Sequence, residues 1–356
     1  MVKINLSQKG SALLMALFIT AISAIITMGL IERQRIDIQR SQLMFASNQA
    51  YLYTQGAVVW ASHFLQTNIY PNANGNNSTN SSSANSTPSP TPSPTSSSAN
   101  QAQNLIKWPV VMPTQNLADG SVVNAVLMDG QSFYNINNLQ DENQQASFIQ
   151  LLKNILPSSY QQNVPTMVSA IIAWLTPQAQ GSNVNLEEYY INHQPPYKAA
   201  HHIFTTLSEL RLVSGVTPQI YNALSQYLIA LPEQTSLNVN TAPPILLLSL
   251  NATTGANYNA QQAQQLTAQR TQQGGFATLK DFNASPIAQQ LGLNSQNNQN
   301  TQNNQNNFTT TSNYFLLRAD VDTKNIHMTL FALFKRKVDE KNKPSVTMLW
   351  QSIGTN

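Results

Sequence analysis

Residues 11 to 31 read SALLMALFITAISAIITMGLI and contain neither a charged residue nor a proline. At about 1.5 Å of rise per residue, a helix over this stretch is about 30 Å long, the hydrocarbon thickness of a bilayer. A secretory signal has a shorter apolar core, of about 7 to 15 residues, followed by a cleavage site with small residues. The stretch therefore predicts a transmembrane helix, and it decides the fold because the rest of the chain must be tethered to it.

The charges that flank this helix bear on its orientation. Lys3 and Lys9 precede it, which favours a cytoplasmic N-terminus, whereas three arginines between residues 33 and 40 follow it and weaken that signal. On charge alone we expect the short N-terminal segment to stay in the cytoplasm.

The composition argues against several classes of function. Only 9% of the residues are Asp, Glu, Lys or Arg, and the formal net charge is +3 over 356 residues. Such a weak field disfavours non-specific binding of nucleic acid, so we expect no nucleic-acid partner. Because the chain has no cysteine, it has no disulfide, thiolate nucleophile or Cys-ligated zinc.

No catalytic motif stands out, and we predict that the protein is not an enzyme. The five histidines are not at the spacing of a helical metal site such as H-E-x-x-H, and G-x-S-x-G, P-loop and dinucleotide fingerprints are missing. His201 and His202 are adjacent, so their side chains should point apart, and we expect both on the surface.

Helical character should continue beyond the membrane. Residues 32 to 66 contain no proline and one glycine, Gly56, and their apolar residues surround much of the helix instead of forming one stripe. This pattern suits a stem that packs on its own domain on one side and on other subunits on another. The alternative is a helix buried in a single globular core.

The rest of the chain alternates between tracts that can fold and tracts that cannot. Residues 72–103 and 294–307 are almost entirely small or amide residues and proline, so we interpret them as a flexible insertion and a linker. Strand-like stretches with turn signals between them lie at residues 106–112, 122–128, 314–321, 327–335 and 346–351.

The region between these strand groups contains a weak internal sequence repeat. Residues 133–138 and 236–241 share an Asn-x-Asn pair, and residues 206–210 and 278–282 share a Thr-Leu-x-acidic pattern. In both pairs, side-chain oxygens can cap a turn or a helix. We interpret this repeat as two related helical units; the alternative is chance resemblance of short polar motifs.

One part of this region raises the question of DNA binding. Residues 238–243 and 274–282, NVNTAP and GGFATLKDF, look like a helix-hairpin-helix or SAM-like module, which can bind duplex phosphates through hairpin N–H groups and flanking lysines. Arg270 and Lys280 are the only cations between residues 238 and 307. We favour a role in protein packing; the alternative is a DNA-binding or DNA-uptake pilin-like component.

The junction before the apolar helix, QKGSALL at residues 8–14, resembles the type IV prepilin leader. The resemblance implies that a prepilin peptidase cuts after Gly10 and methylates Ser11. Most of that family has glutamate at the fifth mature position, where this chain has Met15. A carboxylate in hydrocarbon must be paired, and in this family its partner is the N-terminal amine of a neighbouring subunit. A subunit at the tip has no neighbour above it to provide that amine, so an apolar residue is tolerable there.

Further stretches resemble the pseudopilin K family of type II secretion systems. They are IIAWL (171–175), EEYY (187–190), PPYKAA (195–200), SELRLV (208–213), NVNTAP (238–243) and YFLLRADV (314–321). The resemblance implies an α+β fold with a pilin-like long N-terminal helix, an antiparallel sheet and a large inserted all-α domain made of two SAM-like units.

The expected function and boundaries follow from this resemblance. It implies a minor pseudopilin, single-pass in the inner membrane with a periplasmic body, that caps the pseudopilus tip and initiates assembly with pseudopilins of the I and J types. The expected segments are leader 1–10, membrane helix 11–31, stem 32–71, flexible insertion 72–103, first sheet part 104–139, helical insertion 140–293, linker 294–307 and C-terminal strands 308–356.

The resemblance also implies a calcium site. In the family the loop after the tryptophan is acidic, and carboxylate oxygens hold the hard cation. Here that loop reads TPQAQG (176–181), which leaves Glu187 and Glu188 as the candidate calcium ligands. The alternative is that both are solvated glutamates at the start of a helix.

Overall fold

A computed structural model describes residues 8–68, 107–177, 184–250, 259–290, 307–339 and 343–354. The predicted leader up to residue 7, the flexible insertion 72–103 and residues 294–306 of the linker lie outside the described residues.

Helix α1 spans Gln8–Thr67 without a break, which confirms that the helix continues beyond the apolar segment. In its last third one face is buried, and small side chains form most of it: Ala50, Thr54, Ala57 and Ala61 are at most 1% exposed, and Leu65 ends the buried face. Their spacing of three or four residues places them on one side of the helix. Small side chains there let α1 lie close against the sheet.

The remaining regular elements alternate between the sheet and the insertion. In chain order they are β1 (Val110–Val111), β2 (Gln115–Asn116), β3 (Val122–Asp129), β4 (Tyr134–Asn135), α2 (Glu142–Ile155), α3 (Val164–Leu175), α4 (Val184–Ile191), α5 (Pro218–Leu224), β5 (Leu228–Ile229), β6 (Leu237–Asn238), α6 (Pro244–Ser249), α7 (Ala260–Gln273), α8 (Leu279–Ala284), α9 (Pro286–Gln290), β7 (Phe308–Thr309), β8 (Tyr314–Asp322), β9 (His327–Val338) and β10 (Pro344–Ile353).

The main sheet is antiparallel, in the order β1-β3-β8-β9-β10, with β2 also pairing with β3. The three predicted C-terminal strands are confirmed, each longer than predicted. The run YFLL at the start of β8 is apolar on both faces because both faces are covered. Phe315 and Leu317 pack against α1, whereas Tyr314 and Leu316 pack against Ile229 and Leu231 of the insertion.

The insertion leaves the sheet at the end of β3 and returns at the start of β8. Its apolar core already contains Tyr134, Ile136 and Leu139, so it begins before the expected boundary at residue 140. Two small parallel strand pairs, β4 with β5 and β6 with β7, lie within it or close its end. The α+β class with a helical insertion is confirmed.

Candidate assembly interface and its supporting contacts

The outward side of α1 carries large apolar side chains that the described part of the chain leaves exposed. Ile38, Phe45, Leu52 and Val59 follow one another every seven residues, and their exposed fractions are 57%, 75%, 66% and 68%. At 3.6 residues per turn, this outward stripe lies on the side of α1 opposite the buried alanines. Soluble monomers rarely expose large contiguous apolar patches, and such patches mark protein–protein or membrane interaction sites.

The N-terminal part of α1 is apolar on all sides. Among the described helices, α1 alone is long and apolar enough to cross a membrane. Ser11 and Met15 are exposed on this segment, Met15 to 70%. Residues 8–10 are helical, so the predicted cleavage junction at Gly10 lies within the first turns of α1. The apolar segment suggests a single-pass membrane anchor.

A buried carboxylate joins the sheet to the insertion. Asp129, at the end of β3, is 1% exposed. Its Oδ2 accepts hydrogen bonds from Asn238 Nδ2 at 3.0 Å, Thr241 Oγ1 at 2.6 Å and Ser312 Oγ at 2.8 Å. Burial raises the pKa of Asp129. The side chain therefore ties together the segments where the chain leaves and re-enters the sheet.

A second contact between sheet and insertion lies at the surface. Glu233 Oε1 accepts hydrogen bonds from Lys335 Nζ on β9 and from the hydroxyl of Tyr314 on β8, both at 2.6 Å. The hydrogen bond from Lys335 lowers the pKa of Glu233, and burial raises the pKa of Tyr314 to about 12. These contacts link the insertion to strands β8 and β9.

The two Asn-x-Asn pairs make the same contacts in the two halves of the insertion. Asn137 Nδ2 donates to Phe204 O at 2.9 Å, and Phe204 N donates back to Asn137 Oδ1 at 2.8 Å. Asn240 and Phe276 repeat this exchange at 2.9 and 2.7 Å. Capping boxes follow both phenylalanines, at Thr206 and Thr278. The predicted capping is confirmed.

The hairpin that resembles a DNA-binding module uses its polar groups internally. Arg270 Nη1 donates to Ala242 O at 2.7 Å and to Val239 O at 3.2 Å, and burial lowers the pKa of its guanidinium to about 10. Gly274 and Gly275 have φ of 69° and 101°, and the Gly275 N–H donates to Arg270 O. Among the described residues of this module Lys280 is the one exposed cation, so a phosphate would find little to bind.

The candidate calcium ligands are not brought together with other acidic groups. Glu188 is exposed, whereas Glu187 Oε1 lies 2.7 Å from Nε2 of His201. Within the described residues, no group of three or more His, Cys, Asp or Glu side chains could hold a metal ion. The expectation that both adjacent histidines are surface residues is wrong for His201, which is half-buried between two helices, and right for His202.

Comparison with known proteins gives consistent results. A family model described as type II secretion system protein K matches residues 132–233. Type II secretion system protein K of Klebsiella pneumoniae is 26% identical, covering 80% of this chain and 82% of the relative. The proteins of the same name from Aeromonas hydrophila and Pseudomonas aeruginosa are 25% and 24% identical, each covering 94% of this chain and 95% and 90% of the relatives.

A solved structure has the same fold. A chain of the GspK-GspI-GspJ complex from the enterotoxigenic Escherichia coli type 2 secretion system matches with a TM-score of 0.61 and 20% identity. The match covers 89% of this chain and all of that one.

The long N-terminal helix on an antiparallel sheet is typical of a pilin-like subunit, and its apolar first part suggests a membrane anchor. The helical insertion distinguishes the chain from a plain pilin. Within that class, the chain is a relative of type II secretion system protein K, which confirms the family resemblance and supports the role of a minor pseudopilin. A DNA-uptake component is not favoured.

Proposed function

We propose that this minor pseudopilin caps the tip of the pseudopilus and helps to initiate its assembly with minor pseudopilins of the I and J types. The observation that carries the proposal is the outward stripe, whose four large apolar side chains continue the apolar membrane helix into the soluble stem. A helix of a neighbouring subunit can cover this stripe along its length. The matching crystal structure is that of a complex of GspK with GspI and GspJ, which supports the choice of partners.

Met15 supports a position at the tip. Inside the shaft, a carboxylate at this position pairs with the N-terminal amine of the neighbouring subunit. A subunit with no neighbour above it needs no such carboxylate, so the apolar Met15 is tolerated there. The insertion adds bulk beyond the sheet, which would hinder the addition of a further subunit above this one. The role is assembly, and the proposal includes no catalytic step.

Maturation and location complete the proposal. The prepilin peptidase cuts after Gly10 and methylates Ser11, and the sheet and insertion then lie in the periplasm, anchored in the inner membrane by α1. Mass spectrometry of protein isolated from membranes should find N-methylated Ser11 as the first residue. An intact Met1, or a cut beyond residue 25, contradicts this step.

The assembly claim is tested by co-expression of the full-length chain with the I and J pseudopilins of the same system. After detergent extraction, we expect all three to co-purify through a tag on any one of them. Recovery of the chain alone from each tag would contradict the proposed partners.

A further inference from the structure

Within the described residues two charged side chains are buried, and they are an acid and a base. Asp129, at the end of β3, is 1% exposed, and Arg336, on β9, is 2% exposed. Burying such groups is costly unless hydrogen bonds or an opposite charge compensate for the lost water. Both side chains therefore need partners inside the protein, and they share one of these partners, Ser312.

Ser312 lies between the acid and the base. Its hydroxyl donates to Asp129 Oδ2 at 2.8 Å, and its carbonyl oxygen accepts from Arg336 Nη2 at 3.3 Å. Ser312 is 2% exposed and stands two residues before the start of β8, where the insertion returns to the sheet. One buried residue thus connects the two side chains at the point where the chain re-enters the sheet.

Arg336 connects this point to the stem. Its Nη1 donates to the carbonyl oxygen of Asn68 at 2.8 Å, directly after α1 ends at Thr67. The end of a helix favours a positive charge because its last carbonyl groups lack partners within the helix. The guanidinium carbon also lies 4.7 Å from the ring centroid of Phe315, and an aromatic face attracts a cation. Arg336 is therefore fastened to the sheet and to the end of the stem at once.

Asp129 connects the same point to the insertion, because its Oδ2 also accepts from Thr241 Oγ1 at 2.6 Å. The hydrogen bonds thus run without a gap from Thr241 through Asp129, Ser312 and Arg336 to Asn68. We propose that Asp129, Ser312 and Arg336 form a buried junction that couples the end of the stem to the insertion.

The physical basis of the coupling is the cost of an unpaired buried group. When one end of the junction opens, a polar group in the interior loses a partner that water does not replace, which costs more than the hydrogen bond itself contributes. Opening one end therefore weakens the hold on the other, and a coupling free energy acts equally in both directions. The end of the stem and the insertion then open together instead of as separate domains.

Two mild substitutions test the junction, one at each end. Thr241→Val removes the hydroxyl that donates to Asp129. Arg336→Lys keeps the positive charge, but its single amine replaces the planar fork that reaches both Ser312 O and Asn68 O.

The readout is hydrogen exchange in the full-length protein in detergent, measured at both ends of the junction. The reporter in the stem is the last turn of α1, where Asn68 N–H donates to Phe64 O at 3.0 Å. The reporter in the insertion is Ala242 N–H, which donates to Asn238 O at 2.9 Å. Each substitution is judged by its effect on the reporter at the opposite end.

Each substitution has a matched control outside the junction. Thr235 is a half-buried threonine like Thr241, and its hydroxyl accepts from Asn135 within the insertion, so Thr235→Val is the control for Thr241→Val. Arg318 is an exposed arginine on β8 that pairs with Asp320, so Arg318→Lys is the control for Arg336→Lys.

The proposal predicts that Thr241→Val speeds exchange at Asn68 and that Arg336→Lys speeds exchange at Ala242, each at least about threefold. The two controls should leave the opposite reporter unchanged. Unchanged exchange at the opposite end in both junction variants would overturn the proposal.

A third substitution, Ser312→Ala, shows whether the coupling runs through the junction. It removes the hydroxyl that binds Asp129 and keeps the carbonyl oxygen that binds Arg336. In this background, Thr241→Val should no longer change exchange at Asn68. An effect that persists would come from an overall loss of stability or from other contacts, and it would overturn the proposal. None of these measurements needs a partner protein, so their failure is distinct from failure of the assembly claim.

Discussion

The stem helix and the insertion differ in how completely they satisfy their own side chains. In the insertion, the buried Asn137 and the half-buried Asn240 and Arg270 find hydrogen-bond partners within the chain. The stem buries the face that carries its alanines and leaves Phe45 and Leu52 exposed on the other. Most polar groups named in the insertion are thus paired within the chain, although the buried Tyr134 hydroxyl and Trp174 Nε1 have no hydrogen-bond partner in the described part of the chain. The stem has an apolar face that the described chain leaves uncovered. From this difference we infer that the insertion mainly serves fold stability and the stem mainly serves assembly.

The largest loss of stability should come from the insertion. In Asn137→Asp, the carboxylate loses the two donated hydrogen bonds and faces the carbonyls of Phe204 and Leu231 from a site that is 1% exposed. An uncompensated buried charge of this kind costs about 3–5 kcal/mol. The midpoint of thermal unfolding should fall strongly in this variant. Asn240→Asp, at the equivalent but half-buried position, should lower the unfolding midpoint by less. Equal decreases in the two variants would show that burial does not set the loss of stability.

The second-largest loss of stability should come from a substitution on the inner face of the stem. In Ala57→Leu, three added carbon atoms must fit between α1 and the sheet, where Ala57 is 1% exposed. Overpacking of a close-packed contact costs about 1–3 kcal/mol. Thermal unfolding measures the loss, and Val59→Leu on the outward stripe is the matched control, expected within about 0.5 kcal/mol of the unsubstituted protein. A stable Ala57→Leu protein would contradict the close packing of this face.

The smallest effect on stability should come from the surface contact between sheet and insertion. The hydrogen bond from Lys335 lowers the pKa of Glu233, so its contribution is present above the unfolded pKa of about 4.3 and is lost as the pH falls through the lower folded value. Because Glu233 is 55% exposed, solvent screening limits that contribution to at most about 1 kcal/mol. The difference in unfolding midpoint between the unsubstituted protein and Glu233→Gln should therefore be present at about pH 6 and shrink below about pH 4. A difference that grows on acidification would contradict this sign.

Much of the architecture could be predicted because it depends on local patterns. The continuous apolar run predicts the start of α1, and strand-like stretches bounded by turn signals predict β8, β9 and β10. The side-chain oxygen of the first asparagine in each Asn-x-Asn pair accepts a hydrogen bond from the backbone N–H two residues later. This contact is local, so the cap was also predictable.

Contacts across the chain were not predictable in the same way. The second asparagine of each pair binds a phenylalanine that lies far along the sequence, and no local pattern indicates that pairing. The same holds for His201, whose ring nitrogens lie within hydrogen-bond distance of Thr176 O and Glu187 Oε1. It also holds for Asp129, whose three side-chain partners lie more than a hundred residues away. These contacts depend on how the insertion folds back onto the sheet.

The central claim is that the outward stripe serves assembly and not folding, and one paired measurement tests it most directly. In Leu52→Glu/Val59→Glu, two apolar contacts are lost to a partner helix, each worth about 1.5–3 kcal/mol when fully buried. We expect the variant to unfold at the midpoint of the unsubstituted protein and to lose at least tenfold in recovery with the I and J pseudopilins. Ile191→Glu, an equally apolar change at a site that is 55% exposed on the insertion, should retain both properties. Full recovery of the complex by the double variant would contradict the claim.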